Sequence, residues 1–360
     1  MSAHSSTTID SIPFWKQQFA SDNCAPATPE VMAALSEANK GYRLSYGDDA
    51  ITRDAQQKVS DLFSPLQPTV GFVFNGTAAN CLALRAMCRP YHAILCHQSS
   101  HLETDECGAP AFFTGGSKLV KIPGANAKLT PESIREAAHR RDDIHFPKVR
   151  ALSLTLSTEW GTLYSLDELS EIGQCAKSLD LRVHLDGARF ANAVAALGVD
   201  PVEIIKAAQA DILSFGGTKN GLTLTEAVVF FNKELSEDFD YLRKQSAQLA
   251  SKMRVLAAPW LAAMADNQWL KRAHHANEMA QRLAAGIDQI PGIERTFPSE
   301  ANAVFFTYPK AAYEWLESEG WHFYEFIELN AWRAMCNWST TPEQVDAFIA
   351  ALSEGLKHGK

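Results

Sequence analysis

Between residues 70 and 231 the chain alternates short apolar runs with longer amphipathic stretches. The runs are Val70-Gly-Phe-Val-Phe74, Ala93-Ile-Leu-Cys96, Lys118-Leu-Val-Lys-Ile122, Ala151-Leu-Ser-Leu-Thr-Leu156, residues 181–185, Ile212-Leu213 and Ala227-Val-Val-Phe-Phe231. They are too short for helices and rich in branched and aromatic residues, so each predicts a strand. Between them the pattern predicts a helix from Asn75-Gly-Thr77 through Met87, one capped by Thr130 with Pro131 in its first turn, and one over residues 166–178. Most of the runs are continuously apolar, the pattern of a strand buried on both faces. With helices in between, they predict an α/β fold: a mainly parallel, seven-stranded-type sheet covered by helices on both sides. Past about residue 235 the pattern changes to long helices as far as Leu283, then to a smaller α+β region. There a strand is predicted at Ala303-Val-Phe-Phe306, a helix at 311–319, a strand at 332–336 and a last helix from Pro342. The predicted division is a large domain over 1–245 and a small C-terminal domain over 246–360.

Composition narrows the class. A chain of 360 residues is long for a single hydrophobic core, in keeping with two domains. A net charge of −9 argues against nucleic acid as a partner, which would call for a basic face. No segment has the uninterrupted apolar length of a membrane span, and Met1-Ser-Ala-His-Ser-Ser-Thr-Thr8 lacks the basic and apolar regions of a secretory signal. Seven cysteines without a Cys-x-x-Cys read as reduced thiols. The expectation is a cytoplasmic enzyme or binding protein with a small-molecule ligand.

Candidate chemistry collects where the strands end, the place at which open α/β sheets bind ligands. In Asp211-Ile-Leu-Ser-Phe-Gly-Gly-Thr-Lys-Asn-Gly221 an apolar strand breaks into two glycines and a single lysine. A lysine held on such a constrained loop is placed to act as a nucleophile toward carbonyls; alone, the stretch also reads as a Gly-rich turn with a solvated lysine. Asn75-Gly-Thr-Ala-Ala-Asn80 opens a helix, and helix-start amides, a glycine and a hydroxyl make a phosphate cradle. Asp186 closes the strand of Leu181-Arg-Val-His-Leu-Asp-Gly-Ala-Arg189, where a buried carboxylate needs a cationic or donor partner. That partner is either Arg189, a helix cap, or a protonated pyridine nitrogen. A phosphate cradle, a carboxylate for a ring nitrogen and an amine for an aldehyde are together the handles of pyridoxal phosphate.

The run His184-Leu-Asp-Gly-Ala-Arg-Phe-Ala-Asn-Ala193 resembles the signature of the threonine aldolase/aromatic amino acid β-eliminating lyase family of fold type I. Ser-Phe-Gly-Gly-Thr-Lys-Asn-Gly is most similar to its low-specificity threonine aldolase and phenylserine aldolase branch. Weaker likeness extends through Ser21-Asp-Asn23, Gly47-Asp-Asp49, Ser100-His101 and Gly108-Ala-Pro110. The resemblance implies that Lys219 is the Schiff-base lysine, Asp186 the partner of the pyridine nitrogen, and Gly76 and Thr77 the phosphate turn. It implies that His101 stacks on the cofactor ring and that Arg254 reaches the phosphate of a neighbouring subunit. Ser21, Arg189 and Arg333 match the set that binds the substrate carboxylate, a task suited to the planar fork of arginine. Helical spacing in His97-x3-His101 is compatible with a metal pair, but no metal is expected there.

Two departures stand out. Where many threonine aldolases carry a histidine after the strand ending at Leu156, this chain has Ser157-Thr-Glu-Trp-Gly161, with Glu159 at or near that place. Ile51 stands where a tyrosine is frequent. Glu159, His101 and Glu103 are thus the titratable candidates for the proton on a β-hydroxyl, with Glu159 acting directly or through a water. The expected reaction is pyridoxal-phosphate-dependent cleavage of an L-β-hydroxy-α-amino acid to glycine and an aldehyde. The alternatives in the same fold are β-elimination, transamination or racemisation. A homodimer or homotetramer with shared active sites is implied.

Overall fold

The computed structural model describes residues 17–141, 143–326 and 331–359; residues 1–8, where no secretory signal was expected, lie outside them. In chain order the first strands are β1 (Gln17–Gln18), β2 (Thr69–Val73), β3 (His92–His97), β4 (Lys118–Ile122), β5 (Lys148–Thr155) and β6 (Arg182–Gly187). They are followed by β7 (Ile212–Phe215), β8 (Glu226–Phe230), β9 (Ala303–Phe306), β10 (Trp321–His322), β11 (Tyr324–Phe326) and β12 (Ala331–Met335).

Strands β2 to β8 form one seven-stranded sheet in the order β2-β8-β7-β6-β5-β3-β4. Only β8 is reversed: it pairs antiparallel with β2 and β7, and every other pairing is parallel. The carboxyl ends of six strands and the amino end of β8 therefore gather on one edge. Register pairs Val73 with Glu226, Thr155 with Asp186 and Gly187 with Phe215 along it. The seven strands and the mainly parallel architecture read from the sequence are present.

Alternate residues of these strands enter two different cores, as burial on both faces requires. Phe72, Leu185, Leu213, Ala227 and Val229 pack on one side. Val73, Ile94, Ile212, Val228 and Phe230 pack on the other, against the helix Gly76–Met87. Each Val, Leu, Ile or Phe among them contributes ~1.5–3 kcal/mol of burial, so a polar substitution in β7 or β8 would be felt on whichever side it points. The helices begin where the sequence marks them. Thr130, Ser165 and Thr341 each close a reciprocal cap with the residue three ahead, Ser133, Glu168 and Gln344.

The C-terminal unit is a three-stranded antiparallel sheet, β11-β12-β9, whose core contains Val304, Phe306, Trp332, Ala334 and Phe348. Met253, Leu256, Trp260, Trp269 and Ala273 pack in the large core, whereas Met279, Leu283 and Ile287 pack in the small one. In packing terms residues 253–273 thus side with the large unit. The N-terminal segment laces the two together. β1 pairs with β10, the Phe19 amide donates to the His322 carbonyl at 2.8 Å, and the Met335 amide to the Phe19 carbonyl at 2.7 Å. Ser21 and Asp22 then reach the edge of the large sheet. Among the described residues, no helix is long and apolar enough to cross a membrane.

Candidate active site

A cavity of about 310 Å³ opens at the edge where the strands end. Its walls include Gly76, Thr77, Asn80, His101, Asp186, Ser214 and Lys219. Residues far apart in sequence, singled out as three separate clusters, therefore share one space.

The lysine loop is pinned from several sides. Glu226, at the start of β8, accepts the Gly217 amide at 2.5 Å. Arg272 donates to the Asn220 carbonyl at 3.0 Å, and Asn220 Nδ2 to the Trp269 carbonyl at 2.8 Å. A Cβ on Gly216 would run into the Ala188 backbone and one on Gly217 into the Thr225 carbonyl. The glycines are therefore required by close backbone packing, and Lys219 sits in a single turn with little freedom. Burial pushes the Glu226 carboxyl upward, against the pull of Thr218, the Gly217 amide and Lys219.

Across the cavity, Asn75 caps the helix Gly76–Met87 by accepting the Ala78 amide at 2.8 Å, which leaves Gly76 and Thr77 on the cavity wall. A Cβ at Gly76 would meet open space, so the backbone there is accessible to a ligand. Asp186 is 2 % exposed. Its Oδ2 accepts from Asn80 Nδ2 at 3.0 Å and its Oδ1 from the Ala188 amide at 3.1 Å. Arg189, a sequence candidate for its partner, is engaged elsewhere. Beneath Asp186, His184 bridges Ser153 and Ser214 through its two ring nitrogens, each at 2.9 Å. Burial drives His184 down to about 4 despite nearby Asp186, so it is a neutral spacer under the site.

His101 begins a short helix after Ser100, but the Ser100 hydroxyl makes no capping bond and is buried without a partner. Ser100 is therefore a cap by position only. His101 Nδ1 lies 2.9 Å from Oε1 of buried Glu106, and this hydrogen bond holds the imidazole above its ordinary pKa, with burial opposing and the charges of Glu159 and Asp186 assisting. His97 turns elsewhere: Nε2 faces the Gly124 carbonyl at 3.1 Å and Nδ1 accepts the Ser99 amide at 3.1 Å. Glu103 pairs with Lys121.

On the side toward the small unit, Arg189 donates from Nε and Nη2 to the two oxygens of Asp22 at 2.7 and 3.0 Å. Burial alone would raise Asp22, but Arg189, Lys219 and Arg333 overcome it and hold the carboxyl down at about 2. Arg333, in β12, donates to the Ala20 carbonyl at 3.1 Å and lies over the Phe326 and Tyr324 rings. Its Nε is buried with no partner. Ser21 is buried, and its hydroxyl accepts the Asn23 amide at 3.1 Å. Glu159 is half-buried outside the cavity wall, but its charge acts on His101, Arg189 and Arg333. Arg254 is not on that wall; its Nε donates to the Ala38 carbonyl at 3.0 Å.

Asn80, Glu106, Asp22 and Glu226 were not singled out as candidates. Asn80 carried the plainest signal, a polar side chain inside the apolar run Ala78-Ala-Asn-Cys-Leu82. Glu106 and Glu226 are lone carboxylates beside glycine-rich or apolar segments and carry almost none.

The family model described as beta-eliminating lyase matches residues 18–310. The chain is 51% identical to the low specificity L-threonine aldolase of Pseudomonas aeruginosa over 332 residues, covering 91% of this chain and 95% of that protein. It is 50% identical to the enzyme of that name from a Pseudomonas species, over 93% of this chain and 97% of the relative. Among solved structures, the threonine aldolase of Leishmania major is similar at 26% identity with a TM-score of 0.88, over 94% of this chain and 98% of that one. With the family model spanning most of its length, this chain belongs to the beta-eliminating lyase family.

Proposed function

We infer that this protein is a pyridoxal-phosphate-dependent lyase cleaving L-β-hydroxy-α-amino acids, of threonine, allo-threonine or phenylserine type, to glycine and an aldehyde. The observation that carries the reading is the convergence of Lys219, Asp186, His101 and the Gly76–Thr77 helix start on one cavity. The relatives named as threonine aldolases support the choice of reaction.

The residues fit the cofactor. Asp186 has one hydrogen-bond donor on each oxygen, Asn80 and Ala188, and so keeps lone pairs for a protonated ring nitrogen. The helix start offers backbone amides to a phosphate, His101 offers a ring face, and Lys219 offers the amine for the aldehyde carbon. When bound, the cofactor supplies the electron sink that makes a Cα–Cβ bond breakable. The protein's part is to choose that bond and move the protons. Arg333, with its unpartnered Nε, and Ser21 grip the substrate carboxylate, together with the donors of Arg189 that its fork on Asp22 leaves over. This fixes which bond at Cα stands across the ring. His101 and Glu159 are the groups for the β-hydroxyl proton: His101 at its ring edge from the cavity wall, Glu159 directly or by holding a water.

Serine, threonine, phenylserine and a β-substituted alanine, supplied separately, test the reading. Glycine plus an aldehyde from threonine or phenylserine is expected. An α-keto acid from serine or the substituted alanine as the main product would favour β-elimination or transamination, and inversion at Cα alone would favour racemisation.

Three coarser proposals accompany it. A homodimer or homotetramer with shared sites is supported by Tyr42, Leu44 and Phe112, large apolar side chains exposed on the single chain, and by half-exposed Leu224 on the cavity wall. In such an assembly Arg254 serves the neighbour's phosphate. A cytoplasmic location is supported by seven free cysteines. The last is a division between a cofactor-holding large unit over 1–245 and a small unit over 246–360 that brings Arg333, supported by the separate cores of the two sheets.

A further inference from the structure

We propose that Glu106 is a positioning residue for His101: it fixes the imidazole with Nδ1 protonated, turns Nε2 to the cavity, and is itself tied through Asn80 to Asp186. The inference rests on the reading above that His101 meets the cofactor ring and carries the β-hydroxyl proton.

The geometry leaves little choice. Glu106 is 2 % exposed, and its Oε1 lies 2.9 Å from His101 Nδ1 and 2.9 Å from Asn80 Nδ2. A carboxylate oxygen only accepts, so the Nδ1 proton is on the histidine and Nε2 is left as the exchangeable position. Asn80 Nδ2 also lies 3.0 Å from Asp186 Oδ2. Because both neighbours are carboxylate oxygens, the amide must present its nitrogen to them, one hydrogen to each. Its own carbonyl oxygen is buried without a partner, the cost of that orientation. The result is one buried chain, His101–Glu106–Asn80–Asp186, joining the group beside the ring's face to the group at its nitrogen edge. Cys81 completes the shell, with its thiol 3.5 Å from Glu106 Oε2. The charges that bear on His101 are Glu106, Glu159 and Asp186, and all three favour the imidazolium. Of these only Glu106 touches the ring.

The His101 titration midpoint, read by NMR of the full-length protein carrying ring-labelled histidine and assigned with the His101→Asn variant, tests the proposal without turnover. Glu106→Gln is expected to lower the midpoint by about one pH unit, the loss of one adjacent opposite charge. Glu106→Asp, which keeps the charge, is expected to restore most of it. In the pH profile of kcat/KM the acid limb should move down by the same amount in Glu106→Gln. An unmoved midpoint in Glu106→Gln overturns the proposal. A lowered midpoint with an unmoved acid limb upholds the Glu106–His101 pairing and instead overturns the assignment of the proton to His101. If Glu106→Gln fails to fold, Asn80→Ala reads the same coupling in the other direction. With one competing donor gone, the midpoint should rise, and no change again overturns it.

Discussion

The Asp22–Arg189 pair is a buried bidentate ion pair at the site, and Asp22→Asn measures it. Asp22 is 1 % exposed and Arg189 8 %, so neither charge is relieved by water. A carboxyl held at about 2 against an ordinary 3.8 is stabilised in its ionised form by roughly 2 kcal/mol. Asn removes the charge and keeps one accepting oxygen for Arg189, so a loss of about 2 kcal/mol in unfolding free energy is expected at pH 7. The loss would approach ~3–5 kcal/mol if the guanidinium were left with no acceptor at all. The folded-state value lies below the unfolded one, so this stabilisation is fully present above about pH 4 and fades as pH falls toward 2. The gap between wild type and Asp22→Asn should therefore be constant from pH 7 to about pH 5 and shrink by roughly half near pH 3. Urea unfolding at fixed protein concentration reads both quantities. Because the same bidentate contact orients Arg189, kcat/KM for threonine should fall mainly through KM. A variant as stable as wild type at pH 7, or a gap that widens with acid, would refute the account.

Lys219→Ala is expected to abolish turnover and to leave no cofactor fixed to the chain after borohydride treatment; peptide mapping that still found the cofactor fixed would assign another lysine. Asp186→Ala should lose upward of about a hundredfold in kcat, the low end of the ~3–5 kcal/mol for breaking a buried ion pair, and weaken cofactor binding measured by equilibrium dialysis. Near-normal values would mean that the ring nitrogen faces a different group. Comparing Glu159→Gln with His101→Asn apportions the β-hydroxyl proton. An unchanged rate and acid limb in Glu159→Gln eliminates Glu159, whereas a large loss confined to His101→Asn, with cofactor still bound, gives the step to the histidine. Arg254→Ala should reduce cofactor affinity in proportion to assembly, checked by sedimentation at matched concentrations; a cofactor-loaded, fully active monomer in dilute solution would rule out the shared site.

The sheet was legible because each strand carries its own record. Ala227 through Phe230 are apolar at every position, which only a strand packed on both faces requires, and both faces are filled. Even the reversal of β8 was latent in the chain, since the connection 216–225 is too short for the helical crossover that a parallel strand needs. The cavity wall was partly legible for a related reason. Asp186 and Lys219 stand where apolar runs stop, and in a parallel sheet all such stops lie on one edge. What periodicity cannot report is which side chains meet across that edge. Asp22 meets Arg189 across 167 residues, and Asn80 meets Asp186 across 106. Neither contact follows from a repeat of two or of 3.6. Arg189 shows the consequence. The family resemblance gave it a substrate carboxylate, a task that suits an arginine, and the structure already supplies a carboxylate in Asp22. That carboxylate arrives on the N-terminal segment, which β1 and Phe19 hold to the small unit. If Arg189 holds the substrate as proposed, that grip depends on how the two units are fastened together, and a change at the β1–β10 pairing should reach KM although no residue there touches the cavity.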